Sequence, residues 1–123
     1  MAIAVRGFNL NIQGCQNCEI NGIASINALC GTSFGFYGCS STIENSLFRD
    51  NGESGTSGLF SDGLTLARGD GIKVLNNTFS NNSDVDLILG QNDDPSDVAA
   101  LVQGNKIIQP GPNFVFVAIL AFN

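Results

Sequence analysis

Apolar residues in this chain come in short alternating runs, not helical stripes, and the runs repeat. Four segments place an asparagine two residues ahead of an apolar side chain: CEINGI (Asn21, Ile23), TIENSLF (Asn45, Leu47), VLNNTF (Asn77, Phe79) and VQGNKI (Asn105, Ile107). These asparagines are 24, 32 and 28 residues apart, a loose period within the range of stacked repeats. Three residues ahead of each stands Cys18, Thr42, Val74 or Val102, small or β-branched side chains predicted to face inward from a strand. A second strand family precedes three of these segments as SFGFY, DGLTL and VDLIL, and NFVFVAIL near the end reads as a fourth member. Each coil therefore reads as strand, short turn, strand, asparagine turn, strand and a loop of variable length. The third coil shows the order best: Leu64 to Leu66, ARGDG, Ile72 to Leu75, Asn76-Asn77, Thr78 to Ser80. No segment keeps helical periodicity over 11 or more residues; the nearest, PSDVAALVQGN, carries β-branched residues and aligns with the repeat.

The pattern predicts an all-β fold, a right-handed single-stranded parallel β-helix of about four to five coils, forming one domain over residues 1–123. In such a solenoid, equivalent residues of successive coils lie ~4.8 Å apart, so a residue type recurs where its like stacks above it. Asn21, Asn45, Asn77 and Asn105 are accordingly expected in a structural role at the sharp turn. Asparagine tolerates the left-handed backbone region there, and its amide can bond to the amides above and below.

GDGIKVLNNTFSNN resembles the repeat of the pectate-lyase-like superfamily of right-handed parallel β-helix proteins, and CSSTIENSLFRDN resembles it nearly as well. The resemblance covers roughly residues 8–123. That superfamily includes pectin and alginate lyases, polysaccharide hydrolases, epimerases, phage tailspikes and repeat proteins of no known activity, so the resemblance implies a fold and leaves the function open. It also implies an extracellular, cell-surface or virion-surface setting. Its enzymes are usually several times longer, with a terminal cap, long groove loops, aspartate pairs, histidine motifs and Arg-Lys strings. This sequence lacks those motifs, so no catalytic residue carries over.

Composition narrows the chemistry. The 123 residues are 43% apolar and 13% charged, enough to fill a continuous core. Eleven acids against five bases give a net charge of -6, the wrong sign for a nucleic-acid partner. Histidine and tryptophan are absent, which leaves carboxylates, Lys, Arg and Tyr for any catalysis. No stretch approaches the ~20 apolar residues of a membrane span. The start, MAIAVRGFNLNI, lacks a basic region followed by a long apolar segment, so no signal peptide is read.

If Leu64 and Leu66 point inward, alternation turns Thr65 outward, and the same register turns Gly35, Tyr37, Asp86 and Ile88 outward. In the resembled enzymes this sheet lines the glycan groove. Tyr37, Thr65, Arg68 and Asp86 are therefore the ligand-binding candidates, Tyr37 to stack on a sugar and Arg68 to hold a uronate carboxylate. Asp84 and Asp86 share a strand face, and two like charges can raise one pKa toward a general-acid role. With Arg68 they are the catalytic candidates; solvated residues on a solenoid face are the plainer reading. Cys15 and Cys39 follow glycines in matching places (GCQN, GCSS) and are expected to stack one coil apart, either as a disulfide or as thiols in a ladder. A zinc site from Cys15, Cys18, Cys30 and Cys39 would lack a second CxxC pair. No cofactor is expected apart from calcium, for which Asp93, Asp94 and Asp97 are candidate ligands. Arg68-Gly69-Asp70 is an adhesion-type tripeptide in a glycine-rich turn, and Asn76 and Asn81 begin glycosylation sequons.

An uncapped solenoid end is an open sheet edge. Near the C-terminus some of Phe114, Val115, Phe116, Val117, Ile119 and Leu120 need cover, which self-association or a longer parent chain would supply. The leading expectation is a non-catalytic structural module, self-associating or glycan-contacting. The alternative is a carbohydrate-active enzyme (lyase, epimerase or hydrolase) or a fragment of one.

Overall fold

The computed structural model describes residues 7–53, 58–90, 98–109 and 117–122. Twelve strands are present among them: β1 (Gly7–Gln16), β2 (Glu19–Asn21), β3 (Ala24–Ile26), β4 (Gly31–Cys39), β5 (Thr42–Glu44), β6 (Leu47–Arg49), β7 (Ser61–Leu75), β8 (Thr78–Ser80), β9 (Val85–Leu89), β10 (Val98–Gln103), β11 (Lys106–Ile108) and β12 (Val117–Ala121). All strand pairs are parallel, each strand lying beside its equivalent one coil away. Sheet A stacks β1, β4, the first half of β7, β9 and β12. Sheet B stacks β2, β5, the second half of β7 and β10. Sheet C stacks β3, β6, β8 and β11.

The fold is a β-solenoid of about three turns. The predicted all-β parallel solenoid is what the chain forms, with five strands stacked in sheet A and four in each of sheets B and C among the described residues.

The interior is built from columns of like residues. In sheet A, Leu10, Phe34, Leu64, Leu87 and Ile119 form one column. In sheet B, Ile20, Ile43, Val74 and Val102 form another. In sheet C, Phe48 and Phe79 stack with ring centroids 5.1 Å apart, and Phe34 of sheet A stacks on Phe48 at 6.0 Å. Phe34, Phe48, Phe79, Ile43, Leu64 and Val74 are wholly buried, each worth roughly 1.5–3 kcal/mol of hydrophobic stabilisation.

The register corrects the sequence alignment by one or two residues. Gly22, Asn45, Asn76 and Gly104 occupy the left-handed turn, with φ of 69°, 51°, 53° and 69°. Asn77 and Asn105 follow it, and Asn21 precedes it. The four repeat asparagines thus occupy three adjacent columns. Likewise Val74 and Val102 face the interior, but Thr42 lies opposite exposed Lys73, and the inward residue of its strand is Ile43.

The predicted turn ARGDG is also absent as a break. β7 runs unbroken from Ser61 to Leu75, because Gly69 (φ 139°) and Gly71 (φ 68°) bend the chain from sheet A into sheet B without ending the ladder. A Cβ on Gly69 would collide with the carbonyl oxygen of Gly38.

The cysteines differ too. Cys15 is bonded to Cys18, with Cα atoms 6.1 Å apart, and Cys39 carries a free thiol. A register shift between Ile12 and Cys15 sets Cys15 against Gly38 and Cys39 against Gln16. Cys15 and Cys18 pack against the core, while Gln16, the partner of Cys39, is exposed. Cys30 is buried.

Candidate functional site

The outer face of sheet A collects the polar chemistry. Thr32 and Asp62 share one register position on β4 and β7, and Gly35, Thr65 and Ile88 share another on β4, β7 and β9. The Thr32 hydroxyl donates to Asp62 Oδ2 at 3.2 Å and lies 3.3 Å from the Thr65 hydroxyl. The Val85 N–H donates to Asp62 Oδ1 at 3.2 Å. Asp84 stands one residue ahead of Val85, its N–H donating to the Ser61 carbonyl.

Burial, with the Asp84 carboxylate second, raises the Asp62 pKa to about 6, although the hydrogen bonds from Val85 and Thr32 oppose the rise. Burial also raises Asp84 above the ordinary carboxylate range. A carboxyl titrating near neutrality can take up or release a proton under physiological conditions. Beside it, the ring of Phe8 lies over Gly35, where a Cβ would meet that ring at 2.6 Å. Phe8 is half exposed, so an apolar ring borders a row of hydroxyl and carboxyl groups.

Of the residues the sequence put on this face, Thr65, Gly35 and Ile88 are there in one register position. Tyr37 lies opposite Arg68 after a register shift following Phe36. Arg68, Gly69 and Asp70 form part of β7 instead of a projecting loop. Asp86 is not on the face: it is fully buried. Its Oδ1 accepts from Asn82 Nδ2 at 2.7 Å and its Oδ2 from Gln109 Nε2 at 3.2 Å. Burial raises its pKa and these two bonds oppose the rise.

Asp86 ends a buried polar seam in which the Ala28 N–H donates to Asn51 Oδ1 and Asn51 Nδ2 donates to Asn82 Oδ1. The alternation that placed Asp86 outward fails at the start of these strands, where Asp86 and Leu87 are both buried, as are Ser33 and Phe34. The same break hid Asp62. Two residues ahead of inward Leu64, it reads by alternation as an interior position. Its one legible signal is its match with Thr32, which carries a polar side chain at the equivalent place.

Asp93, Asp94 and Asp97 lie outside the described residues, as do Phe114, Val115 and Phe116. Among the described residues no group of three or more Cys, Asp or Glu is arranged to hold a metal ion, and no helix is long and apolar enough to cross a membrane. Asn76 is exposed, whereas Asn81 donates to Asp50 Oδ1 at 2.7 Å. Two shallow clefts lie on the outer face of sheet B, on either side of Lys73, away from Asp62.

The second concentration of unusual surface is at the ends. Among the described residues the large exposed hydrophobics are Phe8, Leu10, Ile26 and Leu29 on the first coil, and Leu101, Ile107, Ile108 and Ile119 on the last strands; the described residues from 31 to 90 contribute none. Compared with known proteins, the chain matches no family model, no curated protein and no solved structure.

Proposed function

We propose that the chain is a non-catalytic β-solenoid working as a structural module that associates through its end coils. The observation that carries this reading is the segregation of exposed large hydrophobics to the first and last coils. The described middle coils bury their inward residues between neighbours, while Leu10, Ile107 and Ile119, at the first and last described strand edges of the same columns, are exposed. Such edges pair with further strands, and burying their apolar residues drives the pairing. Sedimentation velocity across a range of concentrations tests it: the average mass rises with concentration, and a species that stays monomeric at the highest concentration overturns the reading.

A second reading rests on the outer face of sheet A. Thr32, Asp62, Thr65 and Asp84, bordered by Phe8, present hydroxyl, carboxyl and apolar groups together, the combination that contacts a glycan. In this reading Asp62, with Asp84, takes the acid-base role first assigned to Asp86. Turnover of a uronic-acid polysaccharide that disappears in Asp62→Asn, with the fold intact, is its expected signature. Its absence on every polysaccharide tried removes the enzymatic form of this reading.

A further inference from the structure

We infer that Cys15 and Cys18 form a reversible dithiol–disulfide couple that exchanges electrons with low-molecular-weight thiols, the Cys15–Cys18 bond being a redox site and not a staple of the fold.

A local backbone device brings the two cysteines together. β1 and β4 keep one register from Gly7 to Ile12 and resume at Cys15 with an extra residue in β1, so that Ile12 faces Phe36 but Cys15 faces Gly38. Gly14, with φ of 72°, lies in this interval, in the left-handed conformation that glycine supplies at a bulge. Strict alternation from Ile12, which packs against the core, would send Cys15 outward. The bulge reverses its side, and Cys15 packs against the core as Cys18 does. Asn17, left-handed at φ 54°, turns the chain between them. Their Cα atoms then lie 6.1 Å apart, within the span of a disulfide. Both residues remain partly exposed, which gives a small thiol access to them.

The main chain holds this corner without the bond. The Asn17 N–H donates to the Cys39 carbonyl at 3.1 Å, the Cys18 N–H to the Ser41 hydroxyl at 3.0 Å, and the Thr42 N–H to the Cys18 carbonyl at 2.8 Å. Residues 15–18 are thus fastened to the next coil, and the bond joins residues only three apart in sequence. So short a loop gains least from cross-linking, and opening it leaves the coil in place. In the exchange, the thiolate of a low-molecular-weight thiol attacks one sulfur of the pair. A mixed disulfide forms, and the other cysteine leaves as a thiolate and takes up a proton. A second thiolate attacks the mixed disulfide, releases the reductant as its own disulfide, and leaves the second cysteine to be protonated. The pair gains two electrons and two protons, and two thiols become one disulfide.

Titration with glutathione tests the couple. The protein is equilibrated with mixtures of reduced and oxidised glutathione, alkylated, and cleaved at Glu19, which parts Cys15 and Cys18 from Cys30 and Cys39. Cys15 and Cys18 are expected to become alkylated together as the mixture turns reducing, and to lose both alkylation sites when oxidised glutathione is restored. The circular dichroism spectrum is expected to stay the same throughout. Cys15→Ser or Cys18→Ser traps glutathione as a mixed disulfide on the cysteine that remains. A bond that opens only in urea, or a spectrum lost on reduction, makes Cys15–Cys18 a staple and overturns the inference. A pair that stays alkylatable under oxidised glutathione, or two serine variants that both fail to trap it, also overturns the inference.

Discussion

Asn77 is fully buried and spends its whole amide on neighbouring coils. Its Oδ1 accepts from the Ser46 N–H at 2.9 Å, and its Nδ2 donates to the Ile43 carbonyl at 2.9 Å and to Asn105 Oδ1 at 3.1 Å. Asn105 repeats the arrangement one coil on, accepting from the Asn77 N–H and donating to the Val74 carbonyl. Asn21 is exposed, and its amide reaches Glu44 Oε1 at 3.1 Å. Removing the Asn77 side chain takes from the buried Ser46 N–H the acceptor it bonds to. Asn77→Ala is therefore expected to lower unfolding free energy by about 1–3 kcal/mol, and Asn21→Ala by no more than about 0.5 kcal/mol. Urea denaturation of the two variants checks the contrast, and equal losses refute it. Sequence spacing found both residues but could not rank them, because a two-residue shift in register across the turn separates a buried amide from a solvated one.

At the scale of elements, position in the stack decides what a side chain is worth. Phe48, Phe79 and Ile107 share one column of sheet C. Phe79 lies between neighbours on both sides and is wholly buried, whereas Ile107 at the last layer is 38% exposed. Phe79→Ala is expected to cost about 3–5 kcal/mol and Ile107→Ala about 1 kcal/mol or less in the monomer, measured as shifts in denaturation midpoint at low protein concentration. The cores of β4, β7 and β9 were legible as SFGFY, DGLTL and VDLIL, since apolar alternation marks the inward column wherever a strand is regular. What alternation missed lies where strands begin or bend. Asp86 turns inward, Asp62 bonds to Thr32, and β7 crosses Gly69 without a break.

For the molecule as a whole, buried carboxyls and net charge set how stability depends on pH. Asp62, Asp84 and Asp86 all have folded-state pKa values above the ordinary carboxylate value, chiefly through burial. The folded state therefore binds protons more tightly than the unfolded chain, and stability falls as pH rises from about 4 through about 6, the value of Asp62. Thermal midpoints are expected to be higher at pH 5 than at pH 7.5. Asp62→Asn should flatten that dependence, gaining on the order of 1–2 kcal/mol at neutral pH and almost nothing near pH 4; a variant as pH-dependent as wild type would contradict the assignment. The net charge of -6 adds self-repulsion in the same direction.

Taken alone, the sequence determined that the chain stacks. Repeats of apolar alternation punctuated by asparagine and glycine can bury their cores only against copies of themselves, so a parallel solenoid follows from the pattern without coordinates. Tertiary structure alone decided the register, and with it every side chain's neighbours. The shift between Ile12 and Cys15 parted Cys15 from Cys39. The broken alternation at the start of β9 took Asp86 into the interior, and the register placed Asp62 beside Thr32 and Asp84. Those outcomes depend on bulges and corners, where backbone geometry set by contacts between coils overrides the two-residue period that a single strand carries.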